Sequence, residues 1–397
     1  MEIPFNKPHL TGKETNYIYK AVHSGQISGN GMFTKKCQGI FEKRYGFKKV
    51  LLTTSCSDAL EMSALLLDIK PGDEIIIPSY TFVSTALAFV RQGAKIVFID
   101  SRSDHPGIDE NKIEKLITSK TKAIVPVHYA GVSCDMDKIM EIANRHNLFV
   151  VEDAAHAIDS GYLPREINEM NDNQFNDKST ISQGKGKPLG SIGHLGCFSF
   201  HETKNIQCGE GGMLAINDER FIERAEIIWE KGTNRAQFFR GETDKYEWMD
   251  IGSSFLPSDI NAAFLYAQLE SLDMIQKKRK QVWEQYYEGL KPLENEKIIT
   301  LPLIPEYGTN NADMFYFVCK NKKERDGLLT YLKGNSILAV FHYLSLHKSP
   351  YYKNKHDGRD LPNSDMYSDC LVRLPLYYEL TSEQQLNIID LIINFYK

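Results

Sequence analysis

The chain is poor in the features that mark several protein classes. Its seven cysteines form no CxxC pair and no regular ladder, so they read as reduced thiols in a reducing compartment rather than a disulfide scaffold. The start, Met1-Glu2-Ile3-Pro4-Phe5-Asn6-Lys7, lacks the basic start and apolar core of a signal peptide. The longest near-apolar stretch, 80–90, is too short to span a bilayer and carries hydroxyls. No Walker, HExxH or GxSxG motif occurs, and Gly29-Asn30-Gly31 does not sit between a strand and a helix as a dinucleotide fingerprint requires. Charge of one sign is also missing: 47 Lys+Arg against 52 Asp+Glu give a net −5, which asks for no nucleic-acid partner. The expectation is a soluble cytoplasmic protein with neither a membrane nor a nucleic acid as partner.

What remains is ordinary globular composition, 42% hydrophobic and 25% charged over 397 residues. Short β-branched or aromatic runs at 50–52, 74–77, 95–99, 123–127, 149–151 and 196–200 alternate with amphipathic stretches such as 59–67 and 136–146. That rhythm predicts βαβ units around a mostly parallel sheet flanked by helices. A polar stretch without apolar period, 163–186, reads as an inserted loop. A helical stripe over 258–290 reads as one long linking helix, and a smaller C-terminal α+β domain follows at 291–397, leaving 1–257 as the large domain. In the small domain, 315–319 and 337–341 look like strands, and Thr381-Ser382-Glu383-Gln384 opens the last helix as a capping box.

Ligands of such sheets collect at the carboxyl ends of the strands, so the residues that follow each run matter most. Lys204, just past 196–200 and before Gly209-Glu210-Gly211-Gly212, has an apolar wall behind it. Desolvation there would favour the neutral amine, a nucleophile toward an aldehyde; read alone, the same residue is a surface lysine in a turn. Asp153 ends the run Leu148-Phe149-Val150-Val151-Glu152 and precedes the small pair Ala154-Ala155. A carboxylate there suits a pyridine nitrogen, turning pyridoxal phosphate into an electron sink, and equally suits a helix N-cap. Glu152, of opposite strand parity, points away. The turn Thr53-Thr54-Ser55-Cys56-Ser57-Asp58 opens a helix and can hold a phosphate or simply cap it, provided Asp58 turns aside. Phe82, in Pro78-Ser79-Tyr80-Thr81-Phe82, can stack on a planar ring or pack in the core. His342 and His347 lack an obvious third ligand, so no metal is expected.

Together, Glu152-Asp153-Ala154-Ala155, Ser199-Phe200-His201 with Lys204, Gly209-Glu210-Gly211-Gly212 and His342-Tyr343 with Leu346-His347 resemble the DegT/DnrJ/EryC1/StrS sugar aminotransferases, which are fold-type I pyridoxal-phosphate enzymes. The resemblance runs from Ile3-Pro4-Phe5 to Leu374-Pro375-Leu376-Tyr377. It implies that Lys204 carries pyridoxal phosphate and moves protons, Asp153 holds the ring nitrogen, Phe82 covers the ring, and His156 lines the cofactor. It implies further that Cys56, Ser57 and Ser199 take the phosphate, and that Ser254 stands where many members place a partner subunit's Asn. His342, Tyr343 and the loop with Asn234, Arg235 and Arg240 are implied for the nucleotide-sugar pocket. Val125-Pro126-Val127-His128-Tyr129-Ala130-Gly131 and Asp250-Ile251-Gly252-Ser253-Ser254 resemble the members that move an amino group from L-glutamate to C4 of a dTDP-linked 4-keto-6-deoxyhexose for surface polysaccharide. A homodimer with shared active sites is implied as well.

Overall fold

The computed structural model describes residues 2–164 and 186–397. Seven strands form the central sheet: β1 (Lys49–Thr53), β2 (Glu74–Pro78), β3 (Lys95–Ile99), β4 (Thr121–Ile124), β5 (Phe149–Asp153), β6 (Leu195–Ser199) and β7 (Gly212–Ile216). Their spatial order is β1-β7-β6-β5-β4-β2-β3. All neighbours from β6 to β3 pair in parallel, and only β7 runs against its two neighbours. The carboxyl ends of β1, β2, β5 and β6 therefore share one edge.

Strand parity sorts the core. Val50, Leu52, Ile76, Val97, Ile124, Val150 and Phe198 pack on one face with Phe33, Phe41, Met136 and Leu265 from helices. Their neighbours Leu51, Ile75, Ile77, Ile96, Ala123, Val151 and Cys197 pack on the other with Leu60, Phe89 and Trp229. Because both faces are covered, the strands read as continuous apolar runs rather than alternating ones.

Two helices connect strands beside the shared edge: α1 (Cys56–Leu66) after β1 and α2 (Val83–Val90) after β2. The stripe that reads as one long helix over 258–290 is two, α3 (Asp259–Glu270) and α4 (Leu272–Asn295). They break at Ser271, whose backbone (φ −111°) leaves the helical region without any Pro or Gly to announce it. Along α4, Leu272 and Ile275 belong to the first core, whereas Val282, Tyr286, Leu290 and Leu293 belong to a separate cluster. That cluster also holds β8 (Phe315–Val318), β9 (Leu371–Leu374) and the capped last helix α5 (Ser382–Tyr396). The stretch 337–341 is no strand; it makes single bridges, Ile337 to Ile3 and Val340 to Arg373. Strands β8 and β9 pair antiparallel. Tyr316 and Leu371 of this hairpin pack with Tyr80 and Tyr129 of the large sheet's loops, which brings the hairpin over the shared edge.

Residues 165–185, most of the polar stretch 163–186, lie outside the described residues. Their described flanks, Gly161–Tyr162 and Lys187–Pro188, pair antiparallel. All seven cysteines are free. Among the described residues no helix is long and apolar enough to cross a membrane, and no cluster of His, Cys, Asp or Glu is arranged to hold a metal ion.

Candidate active site

A cavity of about 440 Å³ opens at the carboxyl edge of the sheet, lined by Cys56, Ser57, Phe82, Asp153, His156, Ser199, Lys204, His342 and Tyr343 among others. Nine of the residues singled out from sequence thus meet in one place, although the other seven lie 25 to 287 positions from Cys56 and Ser57 along the chain.

The floor at one end is the N-terminus of α1. Ser55 is the cap, its side chain accepting from the Asp58 amide at 3.1 Å, and the amides of Cys56 and Ser57 belong to the unpaired first turn. Asp58 turns aside, as the anion reading requires: its carboxylate accepts from the Thr54 hydroxyl. Ser57 Oγ and Ser84 Oγ are 2.6 Å apart. Close approach of β7 secures this turn, since a Cβ on Gly212 would sit 2.4 Å from the Ser55 carbonyl carbon. Donor groups and a helix N-terminus together make an anion site.

Asp153 ends β5 and is buried. Thr85 Oγ1 donates to its Oδ2 at 2.7 Å, and the Ala155 amide donates to Oδ1 at 3.2 Å. Burial pushes this carboxyl above its usual range, while the Thr85 and Ala155 donors and the nearby Lys204 charge pull the other way. Lys204 lies in the turn after β6, which closes by its amide donating to the His201 carbonyl at 2.9 Å and that of Glu202 donating to Gly209 at 2.9 Å. Asn205 anchors the turn, giving its buried amide to Gln276 at 2.7 Å and to the Asn311 carbonyl at 2.8 Å. Burial, reinforced by Arg373, lowers the Lys204 amine below the ordinary lysine range against the pull of Asp313, Cys56 and Asp153. A lowered amine of this kind can lose its proton and attack a carbonyl.

The far wall is aromatic. His156 Nδ1 accepts from the Ala130 amide at 3.2 Å, which leaves Nε2 protonated toward the Tyr343 hydroxyl at 3.3 Å. His342 stacks on Tyr343 at 3.5 Å between ring centroids and meets the Tyr129 hydroxyl through Nδ1 at 2.6 Å. Burial and the nearby cations keep both imidazoles well below their usual range, hence neutral. Phe82 stands at the rim, 54% exposed, with its ring 5.9 Å from that of Tyr343.

Four other residues singled out from sequence do not line this cavity. Asn234 is buried in its own loop, giving its amide to the Lys245 carbonyl and accepting from the Glu247 amide. Arg235 pairs with Glu230 at 3.7 Å, and Arg240 with Glu226 and Glu242. Ser254 bridges to Glu230 on the exposed side. Conversely, Thr81, Thr85, Asp313 and Arg373 line the cavity and were not singled out. Arg373 had a visible signal, a charge inside the apolar run Leu371–Leu376, and its Nε is buried with no hydrogen-bond partner among the described residues.

Comparison with known proteins gives a consistent picture. The family model described as the DegT/DnrJ/EryC1/StrS aminotransferase family matches residues 8–393. The spore coat polysaccharide biosynthesis protein SpsC of Bacillus subtilis is 31% identical over 404 residues, covering 100% of this chain and 97% of that protein. The solved structure of DesV from S. venezuelae has a TM-score of 0.86 at 27% identity, covering 100% and 99% of the two chains. NtdA of Bacillus subtilis, solved with bound cofactor PMP, has a TM-score of 0.83 at 24% identity, covering 97% and 82%.

Proposed function

The chain belongs to the DegT/DnrJ/EryC1/StrS aminotransferase family, whose cofactor is pyridoxal phosphate, and from that premise we propose that it moves an amino group from L-glutamate to C4 of a dTDP-linked 4-keto-6-deoxyhexose, with the galacto product, for surface polysaccharide synthesis. One observation carries the reading: a single cavity gathers an amine with lowered proton affinity, a buried carboxylate, a rim aromatic and a helix N-terminus.

The donor set fits the cofactor. Ser57, Ser199 and the α1 amides would take the phosphate, Asp153 the ring nitrogen, Phe82 the ring face, and Lys204 the aldehyde carbon covalently. The thiol of Cys56 is held protonated by burial, so it would contact the phosphate end without adding charge. When bound, pyridoxal phosphate supplies an electron sink for the charge that develops beside the transferred nitrogen. Lys204, freed by the incoming donor, would take the proton from the donor's α-carbon; the amino nitrogen would stay with the cofactor and water would supply the carbonyl oxygen of the departing 2-oxoglutarate. With the keto sugar in place the same amine moves the proton in the opposite sense. His156, His342 and Tyr343 form a neutral aromatic wall suited to an uncharged hexose ring.

We further assign the loop with Asn234, Arg235 and Arg240, together with Ser254, to a site shared across a homodimer. Trp248, Met249, Ile251 and Phe239 are 55–84% exposed beside these residues, an apolar surface that a second copy would cover.

The test incubates the protein with L-glutamate and dTDP-4-keto-6-deoxyglucose and assigns the amino position and C4 configuration of the product by NMR. A 4-amino galacto product supports the reading. Amination at C3, or turnover only with UDP or GDP sugars, overturns the substrate assignment. A Lys204→Ala protein with full turnover overturns the mechanism.

A further inference from the structure

We propose that Thr85, oriented by Thr81 behind it, is the positioning residue that holds Asp153 ionised and turned toward the ring nitrogen of the cofactor. The inference rests on the assignment of Asp153 to that nitrogen and adds a residue to which no role has been given.

The hydrogen bonds fix a direction. A threonine hydroxyl has one proton to give. Thr85 gives its proton to Asp153 Oδ2 at 2.7 Å, so its contact with Thr81 at 2.9 Å must be one in which Thr81 donates. The chain therefore runs from Thr81 through Thr85 to the carboxylate, and all three residues are at most 5% exposed. The Ala155 amide takes the other oxygen, Oδ1. Two donors on two different oxygens set the rotation of the carboxylate plane and still leave lone pairs open to the cavity.

The chain matters because of what burial does to an acid. In an apolar site a carboxyl group prefers to keep its proton, and a protonated carboxyl would no longer hold a proton on the ring nitrogen. With Thr81 donating to its oxygen, the Thr85 hydroxyl has its one proton turned to Asp153 and so favours the ionised form, by an amount comparable to other hydrogen bonds to charged groups. The same turn serves the remaining contacts: Ser84, next to Thr85, meets Ser57 at the anion site, and Phe82 stands at the rim. The segment 81–85 thus supports both ends and one face of the cofactor. Only the Thr85 contact bears on the electronics of the ring.

The experiment uses holoenzyme loaded with pyridoxal phosphate labelled with 15N at the ring. Wild type, Thr85→Val, Thr85→Ser and Asp153→Asn are compared by the 15N chemical shift of that nitrogen and by the single-turnover rate with glutamate. Thr85→Val should move the shift toward the unprotonated value and slow the glutamate half-reaction about ten-fold, as loss of roughly 1.4 kcal/mol would. Its affinity for the cofactor should stay within about three-fold of wild type, because the phosphate contacts are untouched. Thr85→Ser should restore both shift and rate. The inference is overturned if Thr85→Val keeps the wild-type shift and rate while Asp153→Asn moves them. It is overturned equally if Thr85→Ser is as impaired as Thr85→Val, which would make the role one of packing. If Asp153→Asn leaves the shift unmoved, the assignment of Asp153 itself fails and takes this inference with it.

Discussion

Glu152 and Asp153 are consecutive on β5, both buried, and face opposite ways. Glu152 accepts from His128 Nε2 at 2.8 Å and from the amides of Gly190 at 2.8 Å, Ile192 at 2.7 Å and Gly193. Gly190 reaches it with φ +84°, where a Cβ would strike the Phe198 ring at 2.3 Å. Four donors fill the lone pairs of Glu152, and it ties the turn before β6 beneath the sheet. Asp153 has two protein donors and faces the cavity. What distinguishes Asp153 from Glu152 is unused hydrogen-bonding capacity directed at open space, not burial or charge.

Exchanging each acid for its amide tests that contrast most severely. Glu152→Gln puts an NH2 among four donors and uncharges a buried pair, and about 3 kcal/mol of stability should be lost in urea unfolding. Turnover per folded molecule should stay within a few-fold of wild type. Asp153→Asn should show the reverse: a loss of turnover of about a hundred-fold or more with stability close to wild type. If both variants lose activity equally while folded, the two acids are not functionally distinct.

This division was legible in advance, since alternation along a strand sends neighbours to opposite faces. So were the six strands with long apolar runs and the convergence of their carboxyl ends, because parallel strands buried on both faces leave an uninterrupted apolar signature. Less was legible where the cause is tertiary. Strand β7 follows a glycine-rich turn and runs against its neighbours, which no βαβ rhythm announces. Strand β9 starts at Leu371, directly after a helix that ends at Cys370, with no turn residues between. Asp313 and Arg373 reach the cavity only because the β8–β9 hairpin folds over the sheet edge. Thr85 shows four-residue spacing from Thr81, but only the fold places a carboxylate beside it.

The contrast can be sharpened at a third buried group with spare capacity. His105 is 2% exposed; its Nδ1 accepts from the Gly107 amide at 3.0 Å and its Nε2 has no partner among the described residues. It does not line the cavity. Spare capacity without open space should carry no chemistry, so His105→Gln should leave turnover unchanged. Its signature is in stability. Burial lowers this imidazole from 6.5 to about 4. As pH falls the unfolded chain takes up the proton first, so stability drops between those values and levels off below the lower one. The drop is at most about 3 kcal/mol, and His105→Gln should flatten that part of the stability–pH curve in equilibrium unfolding. A large loss of turnover in this variant would show that spare capacity matters wherever it lies.

Lys204 supplies the smallest effect on stability and the sign that separates function from stability. Its amine is lowered from the usual 10.5, so in cofactor-free protein its charged form is less favourable in the folded chain than in the unfolded one. That penalty is fully present at pH values below the folded pKa and fades as pH rises toward the unfolded value. Lys204→Met keeps the stem's volume and removes the charge, and it should abolish amino transfer. It should also raise the thermal midpoint of the cofactor-free protein at neutral pH by on the order of a degree or two. The gain should shrink as pH approaches 10. A midpoint that falls at neutral pH, or a gain that grows with pH, would mean that the amine is held by contacts that stabilise its charge, and the contrast between filled and open sites would not extend to it.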